Sequence, residues 1–413
     1  MAFFYTIFIR LYVAGIRVAG LVNAKAAEWH KGRKGLFEDL AARIAPQDRL
    51  IWVHCASAGE LEQGKPVIEA LKRQYPRHKI LVSFFSPSGY AVGLKYKEAD
   101  LICYLPADTA SNAKRFIGIV KPELVVFIKY EYWYHHLSAL AFRHIPVLLV
   151  SAIFRPGQAF FKWYGSFYRQ ILFLFRHIFV QDEESLNRLK NAGISHCSVS
   201  GDTRFDRVAK IALNAADLPL IASFTGGSPT LVAGSTWPDD EQLLAACIGN
   251  SVQKLIIAPH EINEGHLEQI DKLFPDSIRY SSLVKDSSLK ARVLVIDNIG
   301  MLSRLYRYGT LAYIGGGFNK SGIHNTLEAA VWGKPVLFGP QYQKFREARE
   351  LVALSAAFSV RDQAGLQQKL AQWLENEAEQ EKAGLAAGRY VQENTGATGR
   401  VLEYVQANRL LTS

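Results

Sequence analysis

Cysteine is scarce: four in 413 residues, Cys55, Cys103, Cys197 and Cys247, far apart and with no CxxC pair. That excludes a disulfide scaffold or zinc ribbon and fits a reducing cytosolic compartment. Several signatures are missing too. Without GxxxxGK[ST] the chain is no P-loop ATPase, and without HExxH or GxSxG it lacks the centres of zinc proteases and serine hydrolases. No Asp-x-Asp pair occurs, so a divalent metal holding a diphosphate would lack its usual ligands. Acids are few beside bases, 38 against 48, a net charge of +10 that favours anionic partners. What is plentiful is apolar: 49% hydrophobic and 12% aromatic residues exclude a disordered or collagen-like chain. The length suffices for two or three domains, each with its own core.

Residues 1–22, MAFFYTIFIRLYVAGIRVAGLV, are apolar except for Arg10 and Arg17, which lie seven apart and so near one helical face. The two arginines interrupt the run that a spanning helix requires. No positive stretch precedes the apolar part, as a signal peptide would require. The segment reads as a membrane-associating helix, with Lys25, Lys31, Arg33 and Lys34 behind it suited to an anionic leaflet. The plain alternative is a helix packed on the protein's own core.

From residue 50 the pattern changes. Runs at 50–57, 79–86, 101–108, 123–130, 146–152 and 177–182 are short, rich in Val, Ile, Leu and Phe, and without polar alternation. They read as strands of a parallel sheet covered on both faces, with helical spacing between them. After a lapse the rhythm resumes at 230–236, 254–260, 291–297, 310–317 and 334–340. The expected architecture is α/β, two Rossmann-like domains facing a cleft behind an N-terminal membrane-associating helix (1–22). The first domain spans 23–210, a linker 211–229, the second domain 230–390 and a C-terminal helix 391–413. Ligands of such folds gather at the carboxyl ends of strands.

The polar residues at those ends are the candidates. Glu60 closes HCASAGE after the first strand, where a carboxylate can act as a general base; the plain reading is a helix-dipole partner. Glu131 follows the fourth strand in KYEYW, and Arg204 stands in GDTRFD. Arg204 can meet developing negative charge, or simply pair with Asp202 or Asp206. Arg155, Lys162, Arg169 and Arg176 recur every seven residues in an acid-free, aromatic stretch and would align on one helix if that helix starts after Pro156-Gly157. In the second half Pro259-His260 and Ile299-Gly300-Met301 end strands, and Gly315-Gly316-Gly317 precedes His324-Asn325-Thr326-Leu327-Glu328. Glycines admit a phosphate close to the backbone, a helix starting at Asn325 would offer free N–H groups, and Glu328 can accept from ribose hydroxyls.

Taken in order, HCASAGE, KYEYW, GDTRFD, AGST, IIAPHE, DNIGML, IGGGF and HNTLEAAVWGKPVLFGP resemble the 3-deoxy-D-manno-octulosonic acid (Kdo) transferases, GT-B glycosyltransferases of lipid A core assembly. The resemblance runs from about residue 1 to 350. It implies a CMP-Kdo donor and a lipid A precursor as acceptor at the cytoplasmic face of the inner membrane, whose anionic surface is a further partner; nucleic acid is not one. It implies catalysis by Glu60 as base with Glu131 and Arg204, donor contacts from Pro259, His260, Ile299, Gly300, Met301, Asn325, Thr326, Leu327 and Glu328, and no metal or other cofactor. Arg204 stands where Lys is commoner, His260 where many members carry Arg, and Thr326 where many carry Pro. The alternative is a GT-B enzyme for another nucleotide sugar, a UDP-sugar transferase or 2-epimerase.

Overall fold

The computed structural model describes residues 2–247, 252–283 and 291–412. Three helices open the chain, α1 (Ala2–Ala19), α2 (Ala24–Lys31) and α3 (Leu36–Arg43), and α4 (Ala58–Gln74) follows the first strand. The strands are β1 (Arg49–His54), β2 (His78–Phe84), β3 (Leu101–Tyr104), β4 (Leu124–Ile128), β5 (Val147–Ala152), β6 (His177–Val180) and β7 (Cys197–Val199). A second set follows: β8 (Thr230–Thr236), β9 (Lys254–Pro259), β10 (Ser277–Arg279), β11 (Val293–Val295), β12 (Leu311–Ile314), β13 (Val336–Phe338) and β14 (Ala357–Ser359). All pair in parallel, in two seven-stranded sheets of order β3-β2-β1-β4-β5-β6-β7 and β10-β11-β9-β8-β12-β13-β14.

Burial explains why apolar runs become these strands. Along β1, Leu50 and Trp52 join the core on one face while Ile51 and Val53 join the core on the other. Both faces are covered by helices, so no position is left for polar alternation. β7, β10 and β14 have no counterpart in the sequence pattern. Each is three residues long and forms a sheet edge, where less burial is demanded and an apolar run is not needed.

The chain divides into two units, Met1–Arg207 with Thr395–Ser413, and Val208–Asn394. The segment 211–229, set apart as a linker by its composition, holds the helix Pro219–Thr225, whose Ile221 and Phe224 are buried. The C-terminal helix Ala397–Ala407 returns to the first unit: Val401, Leu402 and Val405 complete the core that Ile51 and Val53 begin.

Two sequence expectations about helices are corrected. Residues 155–176 do not form one helix; a 3-10 turn at Ala159–Phe161 and a helix at Ser166–Leu172 share the stretch. The chain folds back so tightly at Gly165 that an added Cβ would lie 1.9 Å from the Ala159 carbonyl oxygen. Arg169 caps the carbonyls of Phe160 and Lys162, so the four cations do not align in a strip. The second correction concerns Asn325: the helix there begins at Leu327 and ends at Ala330.

Candidate active site

In both sheets the strand order reverses between two neighbours, β1 and β4 in the first unit and β8 and β12 in the second. Crossovers leave such a point in opposite directions and open a crevice beyond the strand ends. Glu60 and Glu131 stand beyond β1 and β4, at the first of these points.

The turn after β1 builds the position of Glu60. Ser57 caps α4 by accepting from the Glu60 amide, and the Glu60 carboxylate bends back to accept from the Ala56 amide at 2.5 Å. The pair resembles a capping box displaced by one residue, since the amide bound is that of Ala56 and not of the N-cap Ser57, and it supports the plain structural reading of Glu60. A helix-capping carboxylate ordinarily keeps a low pKa; here burial, and then the charge of Glu131, push it up to about 7 against the opposing pull of His54, the Ala56 amide and Lys129. A cap alone does not need that arrangement. The group is poised to exchange a proton near neutral pH.

Glu131 is buried and held at one oxygen. Its Oε2 accepts from His54 Nε2 at 2.9 Å and from Trp133 Nε1. Behind it, Trp52 Nε1 donates to Ser83 Oγ at 2.7 Å, and Ser83 Oγ lies 2.8 Å from His54 Nδ1. His54 Nδ1 also lies 3.1 Å from the Ser83 carbonyl oxygen, and Nε2–H donates to Glu131, an assignment from the network. Glu131 is thereby fixed in place to set the field at Glu60.

Arg204 makes the pair that the sequence offered as its plain alternative. Its backbone N–H and Nε both donate to Asp202 at 2.9 Å, and Nη2 lies 2.8 Å from the same carboxylate. Burial works against the Asp202 anion, yet the charge and hydrogen bonds of Arg204, with Lys129, hold its pKa below the usual carboxylate value. Gln63 of α4 donates to Asp202 and accepts from Thr203 Oγ1, which ties this loop to the helix carrying Glu60. Tyr130 stands among all these groups: burial raises its hydroxyl pKa, Arg155 and Arg204 oppose the rise, and Asp202 and Glu60 add to it.

Sequence reasoning assigned no catalytic role to His54, Lys129 or Trp133. Lys129 has a φ of 72°, the left-handed region, at the end of β4; a non-glycine residue there is strained and is often found at functional sites. Its signal in the sequence was weak, a Lys ending an apolar strand. The contact of His54 with Glu131 spans 77 positions, and no local pattern reveals it.

In the second unit Pro259 is buried at the end of β9 and His260 is exposed beyond it. The His260 ring stacks on Trp237 at 4.8 Å and on His324 at 4.3 Å. Trp237 Nε1 donates to His324 Nε2 at 3.1 Å. Burial, and then the charge of His260, lower the His324 pKa to about 4, so this ring is neutral at pH 7 and can accept that bond. Trp237 and His324 thus complete a three-ring stack of which only His260 was singled out as a donor contact.

The glycines beyond β12 are required by the backbone itself. A Cβ at Gly315 would lie 2.2 Å from the Ser235 carbonyl oxygen, one at Gly317 2.4 Å from the Gly339 nitrogen, and Gly316 has a φ of 88°. Asp240 fixes this loop by accepting from Gly316 N at 2.8 Å and from Tyr313 OH at 2.8 Å. Ile299 is exposed, Gly300 has a φ of 97°, and Met301 and Leu327 are buried. Asn325 Nδ2 donates to Glu328 Oε1 at 3.1 Å, and Asn325 Oδ1 accepts from Leu327 N. The buried Thr326 hydroxyl has no hydrogen-bond partner among the described residues.

Residues 30–207 match the family model of 3-deoxy-D-manno-octulosonic-acid transferase (kdotransferase). The chain is 28% identical over 374 residues to the 3-deoxy-D-manno-octulosonic acid transferase of Aquifex aeolicus, covering 86% of this chain and 97% of that one. It is 26% identical over 403 residues to the protein of the same name from Bordetella pertussis, covering 92% of each. Among solved structures, UDP-GlcNAc 2-epimerase from Neisseria meningitidis bound to UDP-GlcNAc matches with a TM-score of 0.61 at 17% identity, over 87% of this chain and 100% of that one. MurG from Acinetobacter baumannii matches at 0.52 and 15%, over 87% and 99%. These likenesses are of fold, the GT-B pairing of two Rossmann-like units. Over residues 30–207, and through relatives that align along most of its length, the chain is similar to the 3-deoxy-D-manno-octulosonic-acid transferases.

Proposed function

We propose that this protein is an inverting glycosyltransferase that moves Kdo from CMP-Kdo to a hydroxyl of a lipid A precursor, at the cytoplasmic face of the inner membrane. The observation that carries the reading is Glu60, a carboxyl group whose pKa of about 7 is set by burial and by Glu131 beyond adjacent strands. In the reaction Glu60 takes the proton of the acceptor hydroxyl, whose oxygen bonds to the anomeric carbon from the face opposite the leaving group. The bond from that carbon to the phosphate oxygen breaks, and CMP departs with the electron pair. Glu131 is a positioning residue that keeps Glu60 basic. Arg204, with Lys129, supplies positive charge for the Kdo carboxylate and the leaving phosphate.

The nucleotide belongs to the second unit. His260 with its ring stack, the turn at Ile299-Gly300-Met301 and the Asn325–Glu328 loop, with Thr326 and Leu327 contributing backbone, would hold CMP. The leaving group is a single phosphate, so this reading calls for no metal.

The lipid side of the reaction draws support from α1. Tyr12 of α1 stacks on Phe85, Phe85 stacks on Trp133 at 5.0 Å, and Trp133 donates to Glu131. The apolar helix is therefore packed on the rim that carries the carboxylates, where an acceptor with acyl chains in a bilayer would present its sugar. Mass spectrometry of a lipid A precursor incubated with the protein and CMP-Kdo tests the proposal. A product heavier by one or more Kdo residues is expected. An unchanged acceptor, or conversion of a UDP-sugar without acceptor, would replace this reading.

A further inference from the structure

The helix α1 is bound to the first unit along one stripe. Tyr5 OH donates to Asp108 at 2.6 Å, Thr6 Oγ1 lies 2.9 Å from His135 Nε2, and Ile9 is buried. On a helical projection at 100° per residue, Phe4, Phe8, Leu11 and Val18 occupy the opposite side, and all are exposed. Arg10 and Arg17 fall on the boundary between the packed and the apolar faces.

Both arginines line a recess of about 540 Å³ between α1, the turn after α2 and the start of the helix Ala110–Val120. Lys34, His30 and Arg33 line it as well, and no aspartate or glutamate does. Arg33 forms the floor. Its guanidinium donates to the carbonyls of Trp29, Phe85 and Leu105 and lies 3.8 Å from the centre of the Trp29 ring. Burial lowers its pKa only to about 9, so it stays charged at neutral pH. Among the described residues the side chains of Arg10, Arg17 and Lys34 have no acidic or hydrogen-bonding partner. Thr109 and Asn112, in the N-terminal turn of an 11-residue helix, close one wall and add the positive end of its dipole.

An acid-free recess with four cations, opening beside an apolar stripe, matches one chemistry: a phosphate group with hydrocarbon attached. We propose that this recess binds the phosphate of an anionic membrane phospholipid while the outer face of α1 lies in the same leaflet. The inference deepens the membrane assignment above and rests on it, but it involves neither the sugar donor nor the transfer step. It also assigns an orientation. A helix held along one side by Tyr5, Thr6 and Ile9 lies in the membrane plane, and the boundary arginines sit at headgroup depth.

The test is co-sedimentation of the full chain with vesicles of phosphatidylcholine alone and of equal parts phosphatidylcholine and phosphatidylglycerol. Each basic side chain near an anionic leaflet is worth about fivefold in affinity. The triple variant Arg10→Gln, Arg17→Gln, Lys34→Gln is therefore expected to lose on the order of a hundredfold on mixed vesicles and little on neutral ones. Arg17→Gln alone, at an exposed site, should lose about fivefold, which covers the case in which the triple variant does not fold. Phe4→Ser with Phe8→Ser should weaken binding to both vesicles alike. Equal binding of wild type and triple variant to mixed vesicles would overturn the proposal. So would release of the wild type by inorganic phosphate at constant ionic strength, which would mark a free-phosphate site. Because neither donor nor acceptor is present, failure here and failure of the transfer reaction are separate results.

Discussion

Each of the two units holds a parallel seven-stranded sheet whose strand order reverses near its middle, and each uses that reversal differently. At and beyond the strand ends of the first unit, polar and charged side chains are tied in chains: Trp52, Ser83, His54 and Glu131, and beside them Gln63, Asp202 and Arg204. Beyond the strands of the second stand backbone and rings: the Gly315–Gly317 loop pinned by Asp240, and the stack of Trp237, His260 and His324. A buried charge network shifts pKa values and so governs proton transfer. A glycine loop and stacked rings govern shape, which suits holding a nucleotide. On the proposed assignment, one unit serves chemistry and the other recognition through what each places at its strand ends.

The sharpest way to break this contrast is Glu60→Ala. Transfer should fall by about 10²–10⁴-fold, the usual contribution of a general base, while calorimetric titration with CMP is unchanged. Normal turnover in that variant would end the assignment. Next in size, Arg204→Ala should lower kcat by about 10²–10³-fold, and Arg204→Lys should recover part of it; an equal loss in both would mean that the pair with Asp202 is structural. On the other unit, His260→Ala should raise the Kd for CMP about tenfold, the loss of roughly one charge-assisted or stacking contact, with kcat little changed at saturating donor.

Smaller effects sharpen the electrostatic half of the comparison. Glu131→Gln removes the like charge beside Glu60, so the acidic limb of the kcat/KM profile, expected near the Glu60 pKa of about 7, should move to lower pH. Glu60 also links pH to stability. Its folded pKa lies above the ordinary value, so between about 4.5 and about 7 the folded chain keeps a proton that the unfolded chain releases. Native stability therefore falls as pH rises through that window. Glu60→Gln should be no more stable than wild type below it and more stable above it, by on the order of 2–3 kcal/mol, read as a rise in denaturant midpoint at pH 8 that is absent at pH 4.

Much of this was legible in the chain itself. Parallel strands buried on both faces are written as unbroken apolar runs, and Glu60, Glu131, His260 and Gly316 all follow such runs, where ligands collect. The edge strands β7, β10 and β14 were not legible, because three half-exposed residues carry no pattern. Nor was the break in residues 155–176: spacing by seven looked helical, and the turn at Gly165 is made by contact with Ala159. The same holds for the return of Val401 and Val405 to the first unit, since helix spacing shows which face is apolar and not which core receives it.

What the sequence by itself determined is the order of strands and helices and the presence of carboxylates, cations and glycines at strand ends, since hydrophobic periodicity and turn chemistry are local. The tertiary structure decided how those groups behave. The pKa of Glu60 depends on a second carboxylate 71 positions away in the chain, and the field around it on His54, Lys129 and the burial of all three. Charges interact through space and through whatever excludes water between them, and neither distance nor burial is a property of neighbouring residues.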